Sequence, residues 1–128
     1  MTHYDFARAR DYFRARTGFT TGSHELEVLV TGRTDPSTYQ VVDVRYPSDY
    51  AAGHVPGAIN LPKGKWREPK GLNKDATLYL YCYNPTCHLA AEAALELVAQ
   101  GYRVVEVEGG WDTWLANGYA VEKPAKLA

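Results

Sequence analysis

Strands and helices alternate along this chain, which predicts an α/β domain built on a mostly parallel sheet. Two kinds of observation carry the prediction. Three short β-branched or aromatic runs, "YQVVDVR" (39–45), "TLYLY" (77–81) and "YRVVEVE" (102–108), read as buried strands. Segments with helical spacing or helical end signals lie between and around them, and the clearest is Leu89–Gln100.

The elements follow in order. Residues 4–16 carry Tyr4, Phe6, Tyr12 and Phe13 among Ala and Arg, which predicts a short amphipathic helix packing its aromatic face on the body. Ser23 is placed to cap a second helix, with Glu25 in its first turn and Gly32 as its stop. "TDPST" is a turn, and the first strand follows it. Pro47 suits the first turn of a short helix through Ala52, which Gly53 ends. "HVPGAINLP" reads as a loop with a very short strand around Ala58–Asn60, and "KGKWREPKGLNKDA" as an exposed connection. In the long helix, Leu89, Ala93 and Leu97 lie four apart, with Leu95 and Val98 beside them, and Gly101 closes it. Gly109-Gly110 opens a last helix, Trp111–Asn117, ended by Gly118. "YAVEKPAKLA" reads as a short strand and a tail.

A chain of 128 residues is expected to form one domain over 1–128, large enough for one buried core. Fourteen basic residues against fifteen acidic ones give a net charge of −1, so neither nucleic acid nor an anionic membrane is expected as a partner. The N-terminus, with Asp or Arg every few residues, has no apolar signal region. No apolar stretch is long enough to span a bilayer, so a cytoplasmic location is expected.

Chemistry concentrates in "CYNPTCH" (82–88), where a strand hands over to a helix. In open α/β sheets, ligands sit beyond the carboxyl ends of the strands. The first amides of a helix lack intrahelical acceptors and favour a negative charge. A thiolate or persulfide at Cys82 is such a charge, so its pKa is expected below the free value of about 8.5. On residues alone, Cys82 also reads as a small buried hydrophobe. A disulfide with Cys87 is open if the Cα atoms lie within about 7 Å. Cys82, Cys87 and His88 offer at most three metal ligands at poor spacing, so no metal is expected, and no cofactor.

Three segments in this order resemble single-domain rhodaneses. They are "VVDVRYPSDYAAGHVPGAINLP" (41–62), "LYLYCYNPTCHLAAEAALELVAQGY" (78–102) and "VVEVEGGWDTWLANGYAVE" (104–122). The resemblance covers about residues 39–122, with residues 1–20 as an N-terminal helical extension. It implies a small rhodanese-like domain whose mostly parallel central sheet has helices on both faces. It also implies a sulfurtransferase in which Cys82 attacks a sulfane sulfur donor, carries the sulfur as a persulfide and yields it to a thiol acceptor. The backbone of Tyr83, Asn84, Pro85, Thr86 and Cys87 would cradle the anion.

The chain departs from the family's common pattern inside this loop, which has no basic residue before His88, whereas many thiosulfate-using members carry Arg and Gly there. A low-molecular-weight persulfide or a protein persulfide is therefore the more plausible donor, with thiosulfate the family's alternative. Cys87 could resolve a Cys82 persulfide by releasing sulfide and forming a disulfide. His88 could assist by charge or hydrogen bond, or lie in solvent. Asp43 and Arg45 are expected to pair or to shape the site rim. His54 is expected to be a structural hydrogen-bonding residue, Trp111 to pack or wall the pocket, and Tyr83 to line the entrance. Two other functions stay open: a thiol–disulfide switch or persulfide sensor using Cys82 and Cys87, and a noncatalytic module that keeps only the fold. A phosphatase of related fold would need Arg at position 88, where this chain has His.

Overall fold

The computed structural model describes residues 3–124. Five parallel strands form one sheet in the order β1-β5-β4-β2-β3. They are β1 (Thr20–Thr21), β2 (Tyr39–Asp43), β3 (Ile59–Asn60), β4 (Thr77–Tyr81) and β5 (Arg103–Val107). The central pair is in register from Tyr39 opposite Thr77 to Asp43 opposite Tyr81, and this brings the carboxyl ends of β2 and β4 side by side. The helices are α1 (Phe6–Phe19), α2 (Ser23–Thr31), α3 (Pro47–Ala52), α4 (Leu89–Ala99) and α5 (Gly110–Ala116).

The alternation of strand side chains divides the core in two. Val42, Leu78, Leu80 and Cys82 point to one face, where Ala90, Ala93 and Leu97 of α4 cover them. Val41 and Tyr81 point to the other, against Leu26 of α2 and Trp114 of α5. Helices thus lie on both faces of an all-parallel sheet, which accounts for strands that are apolar on both sides.

Several local expectations are corrected. Helix α1 forms, with Asp5 capping the Arg8 amide, but it buries none of its residues. Tyr4, Phe6, Tyr12 and Phe13 are all exposed, so the aromatic face does not pack on the body. Ser23 is not a cap. Gly22 holds that position, while Ser23 is buried in the first turn and its Oγ accepts a hydrogen bond from Asn117 Nδ2. The buried stripe of α4 is Ala90, Ala93 and Leu97, and Leu95 and Val98 face solvent. Small residues on that stripe let the helix lie close to β4, which places the Ala90 amide near Cys82. The connection between β3 and β4 is not wholly exposed. Trp66 is buried, its Nε1 donates to the Leu61 carbonyl, and its own carbonyl accepts from Gln100. After α5 the chain makes only a one-residue antiparallel bridge, Glu122 with His54, and the end of the expected tail (125–128) lies outside the described residues.

Candidate functional site

Cys82 follows directly from β4 and stands at the carboxyl edge of the sheet, and the loop from Tyr83 to His88 leads into α4. Helix α5 fixes the start of this loop. The Trp111 amide donates to the Cys82 carbonyl at 2.8 Å and the Asp112 amide to the Tyr83 carbonyl at 2.9 Å. That approach requires glycine at position 110. Its φ is +61°, and a Cβ there would sit 2.7 Å from the Cys82 carbonyl oxygen and 2.8 Å from the Asn84 nitrogen.

The loop does not form the expected cradle over all of residues 83–87. Pro85 has no N–H, the Thr86 amide bonds Asn84 Oδ1 at 3.1 Å, and the Cys87 amide bonds the Asn84 carbonyl at 3.1 Å. The Asn84 turn satisfies these donors internally. The backbone amides of Ala90 and Tyr83 act on the Cys82 sulfur, drawing its pKa down.

Cys82 itself is 3% exposed and belongs to the core against α4. Its thiol donates to the Cys87 carbonyl at 3.5 Å. Burial pushes its pKa up to about 11, the Cys87 thiol pushes in the same direction, and the two amides only partly oppose them. The expected depression below the free value is therefore reversed, because desolvation outweighs two N–H donors. Both cysteines are free thiols.

Cys87 is half-buried and His88 exposed. Both line an open cavity of about 710 Å³ between the end of α1, the start of α4 and the end of β5. Its walls also carry Arg16, Glu92, Glu106 and Glu108, and Cys82 is not among them. Arg16 is engaged with Glu108 at 3.1 Å. Burial raises the Glu106 pKa first, and the neighbouring Glu108 adds to it.

The other nominated residues gather on the opposite side of the loop. Asp43 is fully buried and accepts from the Arg45 amide at 2.9 Å, from Arg45 Nη2 at 2.8 Å and from the Tyr81 hydroxyl at 2.7 Å. Arg45 also donates to the Gly53 carbonyl at 2.6 Å, and its guanidinium lies 4.5 Å from the centre of the Trp111 ring. His54 stacks on Tyr50, donates through Nδ1 to the Tyr50 carbonyl, and places Nε2 3.1 Å from Glu122 Oε1. Tyr83 turns the same way, donating to Asp49 at 2.6 Å and accepting from the Tyr46 amide at 3.0 Å. Arg45, Tyr83 and Trp111 line a separate hollow of about 530 Å³, so none of them walls the cavity beside Cys87. Asp43 and His54 line neither cavity.

Arg16, Glu92, Glu106 and Glu108 are cavity residues that reading the sequence missed. Arg16 lies on α1, Glu92 on α4, Glu106 on β5 and Glu108 just after it, and the pairing of β1 with β5 brings the end of α1 to Glu108. Among the described residues no cluster of His, Cys, Asp or Glu could hold a metal ion.

The rhodanese-like domain family model matches residues 27–117, most of the chain. The chain belongs to the rhodanese-like family. It is 36% identical over 76 residues to a thiosulfate sulfurtransferase, GlpE of Pseudomonas entomophila, covering 58% of this chain and 68% of that protein. It is 31% identical over 96 residues to the HTH-type transcriptional regulator Rv0324 of Mycobacterium tuberculosis, covering 74% of this chain but 42% of the regulator. The chain thus spans less than half the length of that relative. Among solved structures, the BH2092 protein of Bacillus halodurans superposes with a TM-score of 0.82 at 28% identity, over 93% of this chain and 87% of that one. The likeness in fold therefore extends beyond the segment matched by the family model.

Proposed function

We propose that this rhodanese-like chain is a sulfurtransferase that carries sulfane sulfur as a persulfide on Cys82 and yields it to a thiol acceptor. The observation that carries this reading is the position of Cys82 directly at the carboxyl end of β4, where the backbone amides of Ala90 and Tyr83 favour its anion. A persulfide is a stronger acid than a thiol, so two N–H donors that fail to hold a thiolate suit a persulfide anion better. Its outer sulfur would also extend about 2 Å beyond the buried Sγ, toward the loop.

The kinship with GlpE makes thiosulfate one candidate donor, and a low-molecular-weight or protein persulfide is the other. The site needs no cofactor or metal for this chemistry. We place the activity in the cytoplasm. No helix among the described residues is long and apolar enough to cross a membrane.

Multiple-turnover transfer to a thiol, measured with thiosulfate and with glutathione persulfide, tests the proposal alongside intact mass spectrometry. Wild-type protein should gain the mass of one sulfur atom on the peptide containing Cys82, and Cys82→Ala should abolish turnover. Turnover that survives Cys82→Ala would defeat the assignment, and wild type that takes no sulfur from any donor would favour a noncatalytic module. The contact of the Cys82 thiol with the Cys87 backbone favours a second reading, a thiol–disulfide switch. Two free thiols on a peptide map after mild oxidant would remove it.

A further inference from the structure

Cys82 and Cys87 differ in access. Cys82 is covered: α4 lies over it, and its thiol is turned onto the Cys87 carbonyl. Cys87 opens onto a cavity large enough for a small molecule. A donor arriving from solvent therefore meets Cys87 first. The charge lining that cavity constrains the donor as well. Glu92, Glu106 and Glu108 face it against one guanidinium, and Arg16 is already paired with Glu108. A doubly charged oxyanion meets net repulsion there, a neutral molecule escapes it, and an ammonium-bearing molecule meets attraction.

We propose that the acidic cavity beside Cys87 is the donor site, that it takes neutral or ammonium-bearing low-molecular-weight persulfides, and that Cys87 receives the sulfur before Cys82 does. The role given to Cys87 rests on sulfur transfer at this loop. In the first step the Cys87 thiolate attacks the terminal sulfur of R–S–SH. The S–S bond of the donor breaks, Cys87–S–SH forms, and RS⁻ leaves to take up the proton that Cys87 released. In the second step the Cys82 sulfur attacks the outer sulfur of the Cys87 persulfide. Cys82–S–SH forms, and Cys87 leaves as a thiolate that recovers the proton lost by Cys82. The transferred sulfur keeps its oxidation state throughout, so no outside oxidant or reductant is required. The 3.5 Å contact from Cys82 Sγ to the Cys87 carbonyl keeps the two residues adjacent for this exchange.

Single-turnover loading with cysteine persulfide and with thiosulfate, followed by peptide mass spectrometry, tests the order of transfer. Wild type should load from cysteine persulfide at least roughly tenfold faster than from thiosulfate, and Cys82→Ala should retain its sulfur on Cys87. Cys87→Ser should load Cys82 at least roughly tenfold more slowly than wild type. Glu92→Gln with Glu106→Gln should narrow the preference for cysteine persulfide. A short iodoacetamide pulse on wild-type protein, which depends on no variant folding, should modify Cys87 before Cys82.

Cys87→Ser protein that loads Cys82 at the wild-type rate, or wild type alkylated first at Cys82, would overturn the order of transfer while leaving a Cys82 persulfide intact. Wild type loading faster from thiosulfate would overturn the donor class. Wild type that takes sulfur on neither cysteine would remove the sulfur-transfer function, and this inference with it.

Discussion

Cys82 is a thiol whose surroundings favour the neutral form. Its folded pKa lies near 11, while an unfolded chain returns it to about 8.5. Below the unfolded value both states hold the proton and stability is unaffected. Between the two values the unfolded state releases its proton first, so stability falls as pH rises from about 8.5 through about 11. The loss is of order 3 kcal/mol across the window. Urea denaturation from pH 8 to pH 11 should show the decline in wild type and a shallower one in Cys82→Ala. Equal slopes in the two proteins would mean that the thiol is not desolvated. The Asp43–Arg45 pair is buried as well, but each member has a charged partner and further hydrogen bonds.

At the scale of elements, the Cys82 loop is held from outside by α5 more than by its own turn. The backbone of Gly110 lies against Cys82, Tyr83 and Asn84, and no other residue fits that space. Gly110→Ala combines a positive φ with contacts under 3 Å to backbone atoms that cannot swing away. A loss of about 2–4 kcal/mol is expected. The loop should also lift, and Cys82 should react faster with iodoacetamide than in wild type. Calorimetry and timed alkylation check the two effects, and an unchanged alkylation rate would mean that α5 does not position the loop. By contrast, Arg16–Glu108 joins α1 to the end of β5 between two half-exposed side chains, where solvent screens the pair. Its weight is in the charge of the cavity.

Across the whole molecule, stability is graded outward from the β2–β4 pair. These strands are covered on both faces, whereas α1 buries no residue and is attached through β1, its ion pair and the chain. Native-state hydrogen exchange should find the slowest amides in β2 and β4 and the fastest helical amides in α1. Protection of α1 equal to that of α4 would show that its exposed aromatic residues are covered in solution. Trp66 ties the long connection before β4 to the face covered by α4. Trp66, within the connection expected to be exposed, therefore belongs to the core, while most of that connection stays exposed.

The sequence by itself determined most of the elements and their order, though not the two-residue strand β1. Strands buried on both faces need continuous apolar runs, and helix ends need glycine or proline, so both leave local marks such as "TLYLY", Pro47 and Gly101. It also marked Cys82, because a cysteine at a strand end before a turn is visible in one dimension. Only the tertiary structure decided which cysteine meets solvent, where the loop amides point, and that Arg16, Glu92 and Glu108 share a cavity with Cys87. Burial and cavity charge are sums over residues distant in sequence. Arg16 and Glu108 stand 92 positions apart, and nothing local to either announces the other. Desolvation of Cys82 likewise depends on how closely the Ala90–Ala93 stripe lets α4 approach the sheet, a distance that packing of the complete core sets.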